Sequence, residues 1–134
     1  MNHTNIVTSF LQNDSKILLL KRSDRVKSMK GLWAGVSGII ENNEIPIDRA
    51  KIEIWEETGI EEVQVVLLKS VQEMRVRSPQ YKNHEWNIFP FLFQVDNPKI
   101  KLNWENSEYM WIDPAEITNY ETVPSLENIL SNLL

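Results

Sequence analysis

Three glutamates near the middle of the chain, Glu53, Glu56 and Glu57, have the spacing that most clearly indicates chemistry. Residues three and four positions apart lie on one side of an α-helix, so these carboxylates would crowd together if the segment is helical. Like charges at that spacing destabilise an isolated helix, whereas a hard divalent cation would neutralise them. The spacing therefore predicts a helix that binds Mg²⁺ or Mn²⁺, and a solvated acidic helix face is the alternative.

The segment around these glutamates, GIIENNEIPIDRAKIEIWEETGI from Gly38 to Ile60, resembles the Nudix box, the signature of the Nudix hydrolase family. That signature is a glycine, five residues, a glutamate, seven residues, Arg-Glu, an apolar residue, any residue, Glu-Glu, any residue, a glycine and an apolar residue. Every specified position matches at fixed spacing except one, because Ile52 stands where the family has arginine. The resemblance implies that Glu53, Glu56 and Glu57 are metal ligands.

The resemblance also implies roles for other positions of the box. In the family the backbone carbonyl of the first glycine contacts the metal, which assigns that role to Gly38. Glu44 matches the glutamate that braces the loop against the helix, although favourable charge near the helix start explains it equally well. Glu41 lies in the predicted loop beside the site and is a candidate for a supporting role.

Position 52 is the departure from the signature. The family arginine orients the glutamates by charge-assisted hydrogen bonds, and Ile52 has no donor. Arg49 lies one turn earlier, in the same helical arc as Glu53 and Glu56, and is the candidate to replace part of the missing function. The loss of the arginine keeps open a second interpretation, a non-catalytic Nudix-like module that senses a nucleotide or docks a partner.

Further candidates lie outside the box. Many family members take an additional glutamate, as base or ligand, from a loop before a late strand, and Glu105 is the candidate here, ahead of Glu108. Either Glu56 or Glu105 would accept the proton of an attacking water. Arg22, at the end of a predicted strand, is the candidate phosphate-binding residue, and Trp33 is a candidate to stack on a base. The same residue types make weaker candidates of Arg25, Arg75, Arg77, Tyr81, Trp86 and Phe89, whereas His3 and His84 show no ligand spacing.

The elements that must position these residues follow from hydrophobic periodicity and turn signals. An α-helix is predicted between Pro46, which suits a first helical turn, and Gly59, which suits the position just past a helix end. Asp113 is the predicted N-cap of a short helix, and residues 125–134 form an amphipathic terminal helix. Strands are predicted over residues 5–11, 16–21, 33–40, 63–76 with a break, 85–95 and 109–112, and Pro90 indicates a bulge or a sheet edge.

The fold implied by the resemblance is an α/β fold, the Nudix-type α/β/α sandwich around a mixed sheet. A chain of 134 residues without a visible linker is expected to form a single Nudix domain over residues 1–134. The net charge of −5 argues against a basic surface for duplex nucleic acid, and the absence of cysteine excludes thiolate chemistry. No segment has the length and apolarity of a membrane helix, and a cytoplasmic location is expected. A homodimer is left open.

The function expected from the sequence is metal-dependent hydrolysis of a pyrophosphate bond. The substrate implied by the resemblance is a small-molecule nucleotide, a nucleoside diphosphate linked to another group X, with Mg²⁺ as the cofactor and Mn²⁺ as the alternative. The sequence does not identify X or the base, because loops outside the box select them.

Overall fold

The computed structural model describes residues 1–134, which fold into one mixed sheet with helices on both faces. The strands are β1 (Asn2–Asn13), β2 (Lys16–Arg22), β3 (Trp33–Ala34), β4 (Val36–Ile39), β5 (Val66–Ser70), β6 (Met74–Val76), β7 (His84–Gln94) and β8 (Asn106–Ile112). The α-helices are α1 (Pro46–Thr58) and α2 (Leu126–Leu133), and 3-10 helices cover Glu62–Gln64 and Pro114–Asn119. Each predicted element is present, but residues 33–40 and 63–76 each contain two strands.

The centre of the sheet is a parallel pair, β1 and β7, in register from Asn2↔His84 to Gln12↔Gln94. All other pairings are antiparallel: β1 with β2 and β4, β2 with β3 and β8, and β7 with β5 and β6. The sheet is therefore mixed, as expected. Because β4 pairs with β1 through Val7↔Gly38, the start of the Nudix box is fixed directly beside the central strand.

Pro90 lies in a different setting from the one predicted, since β7 is an internal strand and not an edge. On the side of β7 away from β1, β6 pairs with residues 86–88 and β5 pairs with residues 91–94. Pro90 falls in the interval between these two partners. Its missing N–H therefore removes no ladder hydrogen bond on that side, and a proline is tolerated inside the sheet.

Alternating side chains of the central strands supply two separate cores. On one face Val7, Leu18 and Leu20 pack with Ala50 and Ile54 of α1. On the other face Phe10, Ile17 and Leu19 pack with the buried side of α2, the predicted amphipathic terminal helix, which is formed by Leu126, Ile129, Leu130 and Leu133. This period-two alternation makes the sheet the middle layer of an α/β/α sandwich, which confirms the expected fold class. No helix is long and apolar enough to span a bilayer.

Helix α1 is bounded by the residues that the sequence indicates. Pro46 occupies the first turn, and Gly59 follows the last turn with φ 78° while its N–H donates to the Trp55 carbonyl at 2.9 Å. A left-handed conformation at this position favours glycine because a side chain would be strained there. Between these ends the buried side of the helix includes Glu53 and Glu57 as well as apolar residues. The helix therefore carries two carboxylates into the interior.

Candidate active site

Carboxylates from two distant segments converge beside helix α1. Glu53 and Glu56 of α1 meet Glu105, which lies just before β8, and one oxygen of each lies within 4.8 Å of the others. Glu53 is buried, Glu56 is exposed and Glu105 is intermediate. The three line one cleft of about 1000 Å³. Such a grouping offers hard oxygen ligands to a cation at a position that solvent and a ligand can reach.

Gly38 is the residue against which the Glu53 side chain rests. A Cβ atom at position 38 would overlap the Cγ, Cδ and Oε2 atoms of Glu53. Any other residue would therefore push this carboxylate out of place. The requirement for glycine in the box has a direct structural cause here, because the glycine leaves the space that Glu53 fills.

Glu57 is the most deeply buried carboxylate of the site, with 3% of its surface exposed. Its Oε1 accepts a hydrogen bond from Asn106 Nδ2 at 3.1 Å, and its Oε2 is buried without a hydrogen-bond partner. Glu57 is not one of the three residues whose oxygens converge within 4.8 Å. A buried, unpartnered carboxylate oxygen is costly unless a cation balances it. The donor set therefore fits a divalent metal ion.

The pKa shifts of the two buried glutamates also favour a cation at this site. Burial raises the pKa of Glu57 well above its usual range, the charges of Glu105 and Glu53 raise it further, and the hydrogen bond from Asn106 opposes them. Burial also raises the pKa of Glu53, partly offset by a hydrogen bond from Arg49. Adjacent carboxylates cannot all ionise without an added positive charge. Protons and a metal ion therefore compete for this site.

The stability of the protein should consequently depend on pH and metal together. A carboxyl whose pKa is raised by folding contributes stability below its unfolded value, about 4.3, and that contribution is lost as pH rises through the folded-state pKa. We expect the metal-free protein to lose stability as pH rises from about 5 to 8, and Mg²⁺ to raise Tm more at the higher pH. Thermal unfolding with and without Mg²⁺ at both pH values measures this. An equal Mg²⁺ effect at both would contradict it.

Arg49 links two acidic positions of the box. Its Nε and Nη2 donate to the two oxygens of Glu44 at 2.9 and 2.6 Å, and its Nη1 donates to Glu53 Oε2 at 3.0 Å. These bonds hold the pKa of Glu44 below its ordinary value and raise that of Arg49. Glu44 also accepts from the N–H of Glu41 at 2.7 Å, which fixes the loop before the helix. Arg49 is therefore in contact with a candidate ligand, as expected from its helical position.

Ile52 does not line the cleft. It is 41% exposed, and together with Trp55, Lys51 and Asp48 it lines a separate surface groove. The Ile52 side chain has no hydrogen-bond donor, so position 52 cannot make the contacts of the family arginine. The fork that contacts Glu44 and Glu53 comes from Arg49, three residues earlier.

The turn that presents Glu105 is braced on both sides. Asn103 Oδ1 accepts from the Glu105 N–H at 3.0 Å, and Asn103 Nδ2 donates to Glu105 Oε1 at 3.3 Å. Ser23 attaches the same turn to the end of β2, because its N–H donates to the Glu105 carbonyl and its Oγ donates to the Trp104 carbonyl. The candidate ligand is thus held by both neighbouring backbone and side chains. Glu108 points elsewhere and lies 3.4 Å from Lys21 Nζ.

Arg22 lines the cleft beside the carboxylates. Its Nε and Nη2 both donate to the Ser28 carbonyl, at 3.1 and 2.9 Å, so much of its guanidinium is already used by the loop after β2. Burial lowers the pKa of Arg22, while the charges of Glu57 and Glu105 raise it. A register shift between Lys21 and Arg22 in the β2–β8 ladder accompanies this placement.

The other candidate residues named from the sequence do not all line the cleft. Trp33 does not line the cleft, because its ring packs against Tyr120 at 5.7 Å and against the core on the α2 face. Arg75 and Arg77 lie beside Glu85. Glu41 lines the cleft, as do Tyr81, His84 and Trp86.

Sequence reasoning missed two asparagines, Asn103 and Asn106, that hold the carboxylates. In the sequence, Asn103 and Asn106 stand out only because they flank Glu105 in NWEN. Asparagine in a turn usually hydrogen-bonds to the local backbone, so their contacts with carboxylates were not predicted. That Asn106 reaches Glu57, which is 49 residues away, depends on the β2–β8 pairing and could not be inferred from spacing.

Comparisons with known proteins agree with this arrangement. The NUDIX domain model matches residues 1–133. The nucleoside triphosphatases NudI of Escherichia coli strain SE11 and of Shigella flexneri are each 26% identical over 126 residues, covering 90% of this chain and 89% of theirs.

Solved structures share the fold along nearly the whole chain. The MutT protein from Methanosarcina mazei Go1 is 23% identical with a TM-score of 0.77, covering 98% of this chain and 92% of that one. A NUDIX hydrolase from Nitrosomonas europaea is 19% identical with a TM-score of 0.78, covering 98% and 88%. Since the family model spans residues 1–133 and the box folds into a glycine-backed carboxylate helix, this chain belongs to the Nudix family of pyrophosphate-bond hydrolases.

Proposed function

We propose that the protein hydrolyses the pyrophosphate bond of a nucleoside diphosphate linked to another group X, with Mg²⁺ as cofactor and Mn²⁺ as a substitute. The observation that carries the proposal is the convergence of Glu53, Glu56 and Glu105 within 4.8 Å in a cleft of about 1000 Å³. A cleft of that size accommodates a nucleotide. The adjoining buried oxygen of Glu57 and the space left by Gly38 support a cation at the same place.

The residues that would hold the ion are Glu53, Glu56, Glu57, Glu105 and the Gly38 carbonyl. A bound divalent ion would polarise a phosphoryl oxygen and neutralise the negative charge that develops during phosphoryl transfer. Arg49 keeps Glu53 oriented through its 3.0 Å hydrogen bond. Asn106 does the same for Glu57.

The proton of the attacking water would pass to Glu56 or Glu105, the two more accessible carboxylates of the cluster. Glu56 has no hydrogen-bond partner in the protein, whereas Glu105 Oε1 accepts from Asn103. Arg22 lines the same cleft, and the part of its guanidinium that Ser28 does not use would be available to a phosphate.

The group X is open to direct test. The NudI relatives are called nucleoside triphosphatases, and a nucleoside triphosphate is a nucleoside diphosphate whose X is phosphate. Triphosphates therefore belong in the substrate panel beside nucleotide sugars. At 26% identity the relatives supply a starting substrate class for this chain.

The experiment is hydrolysis of this panel in heavy-oxygen water with and without Mg²⁺. We expect Mg²⁺-dependent turnover, with the label in one phosphate-bearing product, because the carboxylates would hold a cation that activates the phosphoryl group of the substrate and the chain has no cysteine nucleophile. Glu53→Gln should abolish turnover, and Glu73→Gln, an exposed glutamate outside the cleft, is the matched control. Label in a sugar or a base, or a trapped phosphoenzyme, would contradict direct attack of water on phosphorus.

The alternative is a non-catalytic nucleotide-sensing or docking module. Its motivation is Ile52 in place of the family arginine. Arg49 contacts both Glu44 and Glu53, so the absence of an arginine at position 52 does not leave these carboxylates without a donor. Nucleotide binding with no product release across the panel would favour the alternative.

A further inference from the structure

The large apolar side chains that stay exposed are concentrated in one part of the chain. Thirteen such residues are exposed, and six of them fall between positions 52 and 68: Ile52, Trp55, Val63, Val66, Leu67 and Leu68. Val63 is the most exposed of the thirteen, at 88%. Single exposed apolar residues are ordinary, whereas a group of them marks an interaction surface. None of the six lines the cleft, so the proposed function does not account for them.

Strand β5 contributes three of these six residues and is an edge of the sheet. It ends the strand order, pairs only with β7 and exposes all five of its residues. The N–H and C=O groups along its other side therefore have no strand partner, and such an edge is a template for pairing with another strand. A register shift between Leu67 and Lys69 marks a bulge, so the start of β5 offers the most regular edge.

The other edges of the sheet carry charges that discourage strand pairing. β6 has Arg75, whose side chain is 78% exposed, and β8 has Glu108, which lies 3.4 Å from Lys21. The first three residues of β5, by contrast, are a valine and two leucines. An exposed edge without charges is prone to aggregate unless a defined partner covers it. β5 therefore has the features of an edge strand that a partner covers.

The charges at the two ends of the segment indicate which partner fits. Glu61 and Glu62 precede β5 and Lys69 lies near its far end, with no charged residue between them. If two copies of β5 pair antiparallel, the acidic end of each copy meets the basic end of the other, and twofold symmetry repeats this contact. Parallel pairing would place like charges together, which is unfavourable. The segment is therefore complementary to an antiparallel copy of itself.

The surface groove lined by Ile52 and Trp55 extends this region. Val63 also lines the groove, which has a volume of about 550 Å³. Because Val63 lies three residues before β5, antiparallel pairing brings the groove beside the end of the partner's strand. A standard interface covers about 800 Å² on each partner, and a five-residue strand supplies only part of that. The groove adds apolar area at both ends of the paired strands.

We propose that the protein forms a homodimer by antiparallel pairing of β5 with β5 of a second copy. Val66, Leu67 and Leu68 form the centre of the interface, and the groove lies at each end. A twofold interface of this kind uses the same surface on both copies, so the assembly closes at two chains. The inference does not depend on the proposed function, because none of these residues lines the cleft.

Sedimentation of the full chain over a range of concentrations tests the association. We expect a monomer–dimer equilibrium with no larger species. Val66→Lys should weaken dimerisation at least about tenfold, because it places two ammonium groups at the centre of the interface. Tyr109→Lys, at an exposed apolar residue on the opposite edge strand β8, is the matched control and should leave the equilibrium unchanged. A native chain that remains monomeric up to its solubility limit, or a dimer that Val66→Lys does not weaken, would overturn the proposal.

The absence of cysteine allows the orientation of the strands to be tested in the same chain. Gln64→Cys, Val66→Cys, Leu68→Cys and Ser70→Cys each introduce one thiol, and oxidised glutathione then promotes disulfides between copies. A disulfide requires Cα atoms about 4.4–6.8 Å apart, and in an antiparallel pair only residues near the twofold axis come that close to their own copies. We expect cross-linking to be greatest at Val66→Cys and least at Ser70→Cys. Equal cross-linking at all four positions, or faster cross-linking of Trp55→Cys than of any of them, would refute antiparallel pairing of β5.

Discussion

Replacing Glu57 with glutamine is expected to lower turnover by about two orders of magnitude or more while making the metal-free protein more stable. The loss follows because the substitution removes a negative charge from the centre where the cation and the developing phosphoryl charge must be balanced. The gain follows because Glu57 is 3% exposed with an unpartnered Oε2, and burial raises its pKa. A neutral amide of the same shape removes the buried charge and keeps an acceptor for Asn106.

Two measurements on one variant check this expectation. Steady-state hydrolysis with saturating Mg²⁺ gives the change in kcat, and thermal unfolding in a metal chelator at pH 8 gives the change in Tm, expected to be an increase of several degrees. Glu73→Gln, exposed and outside the cleft, should leave both unchanged. Undiminished turnover of Glu57→Gln would remove Glu57 from the site. A lower Tm without metal would mean that its carboxylate is already balanced within the protein.

The parts of the fold that could be predicted are those whose signals are local. Helix α1 was predictable because Pro46, the apolar residues Ala50 and Ile54, and Gly59 lie within a few turns of one another. Asp113 is an N-cap because its side chain meets the Ala115 N–H only two residues away, at 3.0 Å. Pro90 was predicted to mark a bulge or a sheet edge, and it lies instead in an internal strand, at the gap between β5 and β6. Which strands pair beside β7 depends on tertiary contacts that the local sequence does not show.

In the site, too, local signals could be predicted from the sequence and tertiary contacts could not. The box predicts that Glu53 and Glu56 share one helix face, and family resemblance points to Glu105, but only β2–β8 pairing brings Glu105 to the helix. Trp33 was a candidate to stack on a base because the sequence does not show whether an aromatic ring faces a cleft or a core. Its contact with Tyr120 is a tertiary contact that no periodicity encodes.

The second large effect concerns Arg49. Arg49→Ala should lower turnover by about tenfold to a hundredfold, because residues that hold metal ligands in place typically contribute that much. The substitution removes the 3.0 Å hydrogen bond to Glu53 and both bonds to Glu44, and it leaves Glu53 buried without a donor. Arg49→Lys should recover little, because an ammonium group cannot reproduce a planar fork that contacts two carboxylates.

Position 52, where isoleucine replaces the family arginine, provides a matched comparison for Arg49. Ile52→Arg alone should maintain turnover, since Ile52 lies on the exposed side of α1 and Arg49 already contacts Glu44 and Glu53. In the Arg49→Ala background, Ile52→Arg restores the arginine position of the family and should recover part of the lost activity. Measurements of kcat and of Mn²⁺ affinity for the three variants distinguish orientation of the ligands from a general loss of folding. If Arg49→Ala retains native turnover and Mn²⁺ affinity, the fork is structural only and the site tolerates the absence of any arginine.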